Sequence, residues 1–150
     1  GYYRNPEETA AVIDAAGWFR TGDLGIQDET GRLFFLGRLK ETLRIGHMMV
    51  APADIETFLM EHPKVAQAFV VGVPDATLGE VAAAYVIPRP GESLTGKEIQ
   101  DYCRGRLAAV KVPRHIWVVE DVPRARGPHG DKPKRTELRE MALRTLGLSA

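Results

Sequence analysis

A chain of 150 residues, 44% hydrophobic and 27% charged, has the composition of an ordinary globular domain and room for about one packed core. Its single cysteine, Cys103, excludes an internal disulfide, and its longest apolar run, near residues 65–73, is far shorter than the roughly 18 residues of a membrane span. Net charge is zero but uneven: residues 1–103 carry 9 basic and 15 acidic side chains, whereas residues 104–150 carry 11 basic and 5 acidic.

The basic C-terminal third suits an anionic partner, such as a phosphate-bearing ligand, nucleic acid or an acidic protein, or else a solvated charged surface. The opening Gly1-Tyr2-Tyr3-Arg4-Asn5-Pro6 is polar and turn-rich. It reads as neither a signal peptide nor a native start. Tyr102-Cys103-Arg104 on a predicted helix suggests a packed thiol, hence a reducing compartment and a cytoplasmic location.

Pro6-Glu7-Glu8-Thr9 opens a short helix, with acidic residues at the positive end of its dipole. Leu24 to Gln27 and Arg32 to Leu36 read as two strands of a hairpin around an Asp28-Glu29-Thr30-Gly31 turn. Composition and patterning then change at Gly37-Arg38-Leu39-Lys40-Glu41, which predicts a joint between residues 1–37 and residues 38–150. Past it come a short strand over Glu41–Ile45 and a loop over Gly46–Val50. Pro52 starts a helix whose Ile55, Phe58 and Leu59 share one face. Val65–Val73 reads as a strand, largely apolar and so central in a sheet. Glu80–Pro88 is a further strand. Thr95-Gly96-Lys97-Glu98 is a capping box, leading a helix with Ile99, Tyr102, Cys103 and Leu107 inward. A strand over Ile116–Val119 follows, then a mobile Gly-rich basic loop over Arg124–Lys134, then a helix with Leu138, Met141, Ala142 and Leu146 on one side. These elements predict an α+β domain: about three helices on a short, mainly antiparallel sheet, preceded by a β-hairpin.

Three stretches carry candidate chemistry. Asp23, flanked by Gly22 and Gly25 at the lip of the hairpin, can accept two hydrogen bonds from vicinal hydroxyls, as on a ribose, or can cap local N–H groups. Arg38 and Lys40 alternate on extended backbone, so they point to opposite sides. The loop holding Lys132 concentrates positive charge beside glycines, and a lysine there can reach a phosphate. It is not a P-loop, because Gly-Lys-Ser/Thr is absent. His47, His62, His115 and His129 lack ligand partners at metal-site spacing, so no metal site is expected.

In order, four segments resemble the adenylate-forming superfamily of acyl-CoA synthetases, peptide-synthetase adenylation domains and firefly luciferase. They are Gly1-Tyr2-Tyr3 through Pro6-Glu7-Glu8-Thr9; Gly17-Trp18-Phe19-Arg20-Thr21-Gly22-Asp23; Gly37-Arg38-Leu39-Lys40-Glu41 followed by Val50 to Glu56; and Gly130-Asp131-Lys132 through Leu138-Arg139. The resemblance implies a ligase that joins a carboxylic acid to AMP with ATP and Mg2+, then passes the acyl group to the thiol of coenzyme A. It implies that Asp23 and Arg38 bind the nucleotide. Lys40 falls at the hinge and Lys132 at the catalytic lysine. Gly46, His47 and Met48 form the loop on the thiol side. Residues 1–37 would be the tail of a large N-terminal domain absent from this chain, and residues 38–150 the mobile lid.

Two positions depart from the pattern. His47 replaces the usual Gly in the thiol-side loop, where a side chain can narrow the passage. Asp131 replaces the common Gly before Lys132, where a carboxylate can pair with the lysine. Two other readings stand beside the CoA ligase. One is a ligase that loads a carrier protein. The other is a non-enzymatic module gripping an acidic partner with the basic third, although the aromatic interleaving of single-strand binders is lacking, so no nucleic-acid partner is expected.

Overall fold

A computed structural model describes residues 1–127 and 130–148. The chain divides into two compact units, Gly1–Lys40 and Glu41–Ala150.

The first unit begins with helix α1 (Pro6–Val12). Asn5 caps it by accepting from the Glu8 N–H, and Pro6 occupies the first turn. Strands β1 (Asp23–Gln27) and β2 (Leu33–Arg38) pair antiparallel, with Asp23 opposite Arg38. The turn between them is built by Asp28, whose Oδ1 accepts from the N–H groups of Thr30 and Arg32. Those bonds, led by the Thr30 hydroxyl, hold its carboxyl below the usual carboxylate range. A single 3₁₀ turn, Leu39–Glu41, follows.

The second unit opens with a hairpin of β3 (Leu43–Ile45) and β4 (Met48–Val50), joined by Gly46-His47. The expected loop over Gly46–Val50 is therefore a hairpin arm. Gly46 has φ +59°, and a positive φ at the first of two central residues is the geometry of a tight hairpin turn. Helix α2 (Pro52–Met60), β5 (Val65–Asp75), β6 (Gly79–Pro88), α3 (Gly96–Cys103), β7 (His115–Val118), β8 (Arg124–Ala125), β9 (Lys132–Pro133) and α4 (Arg135–Leu146) complete it. The capping box at Thr95 and Glu98 forms as expected.

The main sheet runs β5-β6-β7, antiparallel between β5 and β6 and parallel between β6 and β7. The α+β class is borne out, with helices on both faces of this sheet. Ala68, Val70, Ala82, Ala84 and Val86 face α2, α3 and the β3–β4 hairpin through Ile55, Leu59, Ile99 and Leu43. Val71, Val73, Val81, Ala83 and Tyr85 face α4 through Leu138 and Ala142. Cys103 is fully buried in the first layer, and burial pushes its thiol up to about 11, as fits a packing residue.

The apolar run of β5 was expected to mark a central strand. The centre is β6 instead. Apolar residues at consecutive positions report that both faces are covered, and an edge strand between two helical layers meets that condition equally well. Side chains close part of the open edge of β5. The Val70 N–H donates to Glu56 Oε1 at 2.7 Å, and the Val70 carbonyl accepts from Arg135 Nη1 at 2.9 Å. The Gly72 carbonyl accepts from Arg139 Nε at 3.1 Å. Covering an edge in this way also blocks pairing with another chain.

Candidate nucleotide site and hinge

Asp23 and Arg38 meet because they are register partners at the open end of the β1–β2 hairpin. Arg38 Nη1 lies 2.7 Å from Asp23 Oδ1 and donates to the Thr21 carbonyl at 2.9 Å. The Asp23 N–H donates to the Thr21 hydroxyl at 3.0 Å. Gly22 adopts φ +73°, which only glycine takes without strain, and its carbonyl accepts from the Leu39 N–H. The result is a half-exposed carboxylate and guanidinium held side by side by a backbone fold, polar groups preset for a hydroxyl- and phosphate-bearing ligand. Thr21 is a member of this cluster that the chemical reading of the sequence left without a role.

Lys40 sits in the middle of the 3₁₀ turn that ends the first unit, exposed. Gly46, His47 and Met48 form the tip and one shoulder of the β3–β4 hairpin, with His47 and Met48 exposed. The tip is anchored by the Gly46 N–H, which donates to the Leu78 carbonyl at 2.9 Å.

Lys132 does not ride on a free loop. It lies in β9, paired opposite Ala125 of β8. Arg124 ties down the base of that ladder, bonding to Asp121 and Gln67 and lying 5.4 Å from the centre of the Phe69 ring. The Lys134 N–H donates to the Pro123 carbonyl at 2.9 Å. Among the described residues no ion pair joins Asp131 to Lys132. Lys134 is engaged, 2.7 Å from Glu137 Oε1.

Two of the described histidines, His62 and His115, fit packing roles. His62 accepts from the Lys64 N–H and meets the Tyr102 ring edge-on, and His115 stacks on Trp117. His129 lies outside the described residues. Among the described residues no cluster of three His, Cys, Asp or Glu side chains is placed to hold a metal.

The basic third is largely paired within its own unit. Lys111 meets Asp54, Arg114 meets Asp75, Arg104 meets Asp101 and Arg124 meets Asp121. The positive excess along the sequence is thus partly neutralised by carboxylates from earlier segments.

A further set of charges escaped the motif reading. Glu56 is the one buried charged residue among those described, at 8% exposure. Arg135 Nη1 and Nη2 contact its two oxygens at 2.7 and 3.0 Å, and Arg135 Nε lies 3.0 Å from Glu41 Oε2. Two signals in the sequence could have pointed to it. A glutamate follows the core residue Ile55, and an arginine occupies the first position of a helix, where the dipole disfavours a cation. Replacing Glu56 by Ala should destabilise the protein by about 3–5 kcal/mol, since Arg135 and the Val70 N–H lose their partner together. Thermal unfolding should fall by more than about 10 °C, with a smaller loss for Glu56→Gln. An unchanged midpoint for Glu56→Ala would refute the assignment.

With this geometry in view, the family described as the AMP-binding enzyme C-terminal domain matches residues 54–127. Over 140 residues the chain is 42% identical to a methyl-dioxo-octahydro-indenyl-propanoyl:CoA ligase of Rhodococcus jostii (strain RHA1), covering 93% of this chain and 27% of that relative. Residues 54–127 carry the C-terminal domain of the AMP-binding enzymes.

Solved structures of adenylate-forming enzymes share the fold. ATP-bound MatB from Rhodopseudomonas palustris superposes with a TM-score of 0.82 at 35% identity, over 94% of this chain and 27% of that one. Amide bond synthetase McbA from Marinactinospora thermotolerans gives 0.82 at 37% identity, over 95% and 28%. The chain spans about a quarter of the length of the curated relatives it matches. Asp23, Arg38, Lys40, Gly46, His47, Met48 and Lys132 all lie outside the residues matched to the C-terminal domain family. Among the described residues no helix is long and apolar enough to cross a membrane.

Proposed function

We propose that this chain is the C-terminal part of an ATP-dependent acid–thiol ligase, an AMP-forming acyl-CoA synthetase. The first unit is the tail of a large N-terminal domain and the second is a mobile lid. The observation that carries the reading is the preset Asp23–Arg38 pair, whose arginine directly precedes a single-turn joint. Support for a missing body comes from the first unit's own surface. Tyr3, Trp18, Leu33 and Phe35 are all more than two-thirds exposed, which is far too much aromatic and aliphatic surface for a free-standing hairpin.

In this reading Asp23 accepts hydrogen bonds from the two ribose hydroxyls of ATP, and Arg38 orients Asp23 and contacts the nucleotide. The substrate carboxylate attacks the α-phosphorus and pyrophosphate leaves. Lys132 stabilises this step as a point charge bridging the carboxylate and the α-phosphate, with no proton to transfer. Rotation about Lys40 then brings the Gly46-His47-Met48 tip toward the acyl-adenylate. The thiol of CoA attacks the acyl carbon and AMP departs. In this reading the Mg2+ that accompanies ATP is held mainly by the N-terminal domain and the phosphates, and the roles above do not depend on it.

The test is pyrophosphate release from ATP with a panel of carboxylic acids, followed by AMP release when CoA or a phosphopantetheinylated carrier protein is supplied. The full-length enzyme should release pyrophosphate with some acids and accelerate AMP release with CoA. Acceleration by the carrier alone would move the acceptor to a protein, which the His47 side chain at the hairpin tip would suit. The 150 residues alone should release none, and activity from them would overturn the division of labour.

A further inference from the structure

We propose that Arg135 is a positioning residue that couples the joint to Lys132, through the Glu41–Arg135–Glu56 ion network. The inference rests on the assignment of Lys132 as the catalytic lysine.

Arg135 is the first residue of α4 and follows Lys132 by three positions. At about 3.3–3.6 Å per residue, the Lys132 Cα can lie no more than roughly 11 Å from that of Arg135. The segment between them is held at both ends. Upstream, Lys132 is paired to Ala125, and the Lys134 N–H is bound to the Pro123 carbonyl. Downstream, the Arg135 guanidinium has each of its nitrogens occupied. Nη1 and Nη2 grip the Glu56 carboxylate from α2, Nη1 also donates to the Val70 carbonyl of β5, and Nε meets Glu41.

Local forces do not favour an arginine at this place. α4 has no side-chain cap at its start, and a cation there opposes the helix dipole. Two carboxylates from distant parts of the chain offset that cost. A planar fork serves three directions at once, which a lysine ammonium on a single stem does not. The Glu56 arm fastens α4 to the core of the unit. The Glu41 arm does something different, because Glu41 directly follows Lys40. A change of backbone direction at Lys40 reaches the start of α4 through one side-chain contact as well as through the core. The network therefore makes the joint and the lysine-bearing segment turn as one piece.

The test uses the full-length enzyme and separates the two half-reactions. Adenylation is read as single-turnover pyrophosphate release. Thioester formation is read from supplied acyl-adenylate and CoA, a step that does not use Lys132. Glu41→Gln cuts only the arm to the joint, at a side chain about one-third exposed, so the fold should persist. Its adenylation kcat should fall roughly tenfold, the usual size of coupling between sites, with the ATP KM and the thioester step nearly unchanged. Arg135→Lys should lose on the order of 10² in adenylation, the cost of shifting a reacting group by about 1 Å. Adding Glu41→Gln to Arg135→Lys should cost little more.

Equal loss in both half-reactions would mean that the network only supports the fold, and would overturn the proposal. So would an unchanged adenylation rate in Glu41→Gln. Lys132→Ala is measured alongside. If it is inert in adenylation while Glu41→Gln and Arg135→Lys are normal, the lysine assignment stands and the coupling fails. If Lys132→Ala adenylates normally, the assignment fails and takes the coupling with it.

Discussion

Replacing Lys132 by Ala is expected to slow adenylate formation by about 10²–10³, the usual effect of removing one preset electrostatic stabiliser from a transition state. The physical reason lies in timing. Negative charge gathers between the attacking carboxylate and the α-phosphate only as the bond forms, so an ammonium there lowers the barrier more than it tightens ATP binding. The loss should therefore appear in kcat, with the KM for ATP little changed. Stability should not change, because the Lys132 side chain is exposed. Lys134→Ala is the matched control. It removes only the pair with Glu137 three residues along α4, worth a few tenths of a kcal/mol. Single-turnover pyrophosphate release decides between them, and a larger loss in Lys134→Ala would transfer the role to Lys134.

Lys40→Pro should separate the two half-reactions in the opposite sense. Lys40 lies within a 3₁₀ turn, whose φ range of about −50 to −70° already contains the angle that a proline ring enforces. The ring leaves φ at Lys40 within the range of that turn, so in the proposed reading adenylation should proceed at close to its normal rate. In the proposed reading, swinging the lid takes the dihedrals at the joint out of that range. A locked φ forbids this, so thioester formation from acyl-adenylate and CoA should fall to the background rate. Measuring both steps in one variant is the check. Comparable losses in the two would put the pivot at another residue.

The two variants and the ion network bear on a single mechanical question: whether a joint of one turn controls a lysine some ninety residues later. Lys132→Ala removes the charge, Lys40→Pro freezes the joint, and Glu41→Gln loosens the connection between them. Only the last leaves both the chemistry and the pivot in place.

The elements themselves were legible in the chain. Period-3.6 apolar spacing set α2 and α4, the Thr95–Glu98 box set the start of α3, and alternation around Asp28 to Gly31 set the β1–β2 hairpin. These signals are local: each rests on bonds between residues a few positions apart. Asp23 and Arg38 were legible as polar residues in motifs, though their contact depends on hairpin register. The order of strands was not legible, because the apolar run in β5 records two covered faces and says nothing of which strand lies beside it. Gly46–Val50 read as a loop because a strand of three residues, Met48–Val50, carries too little pattern to announce a hairpin.

What the sequence determined alone was therefore the set of elements, their caps and turns, and the residue types available for chemistry. What tertiary structure decided was which charges meet. Glu41, Glu56 and Arg135 stand as far as 94 positions apart in sequence, and no local rule links them. They come together because α2 and the first residue of α4 flank the same edge of β5, where the backbone of Val70 demands partners and burial makes an unpaired charge costly.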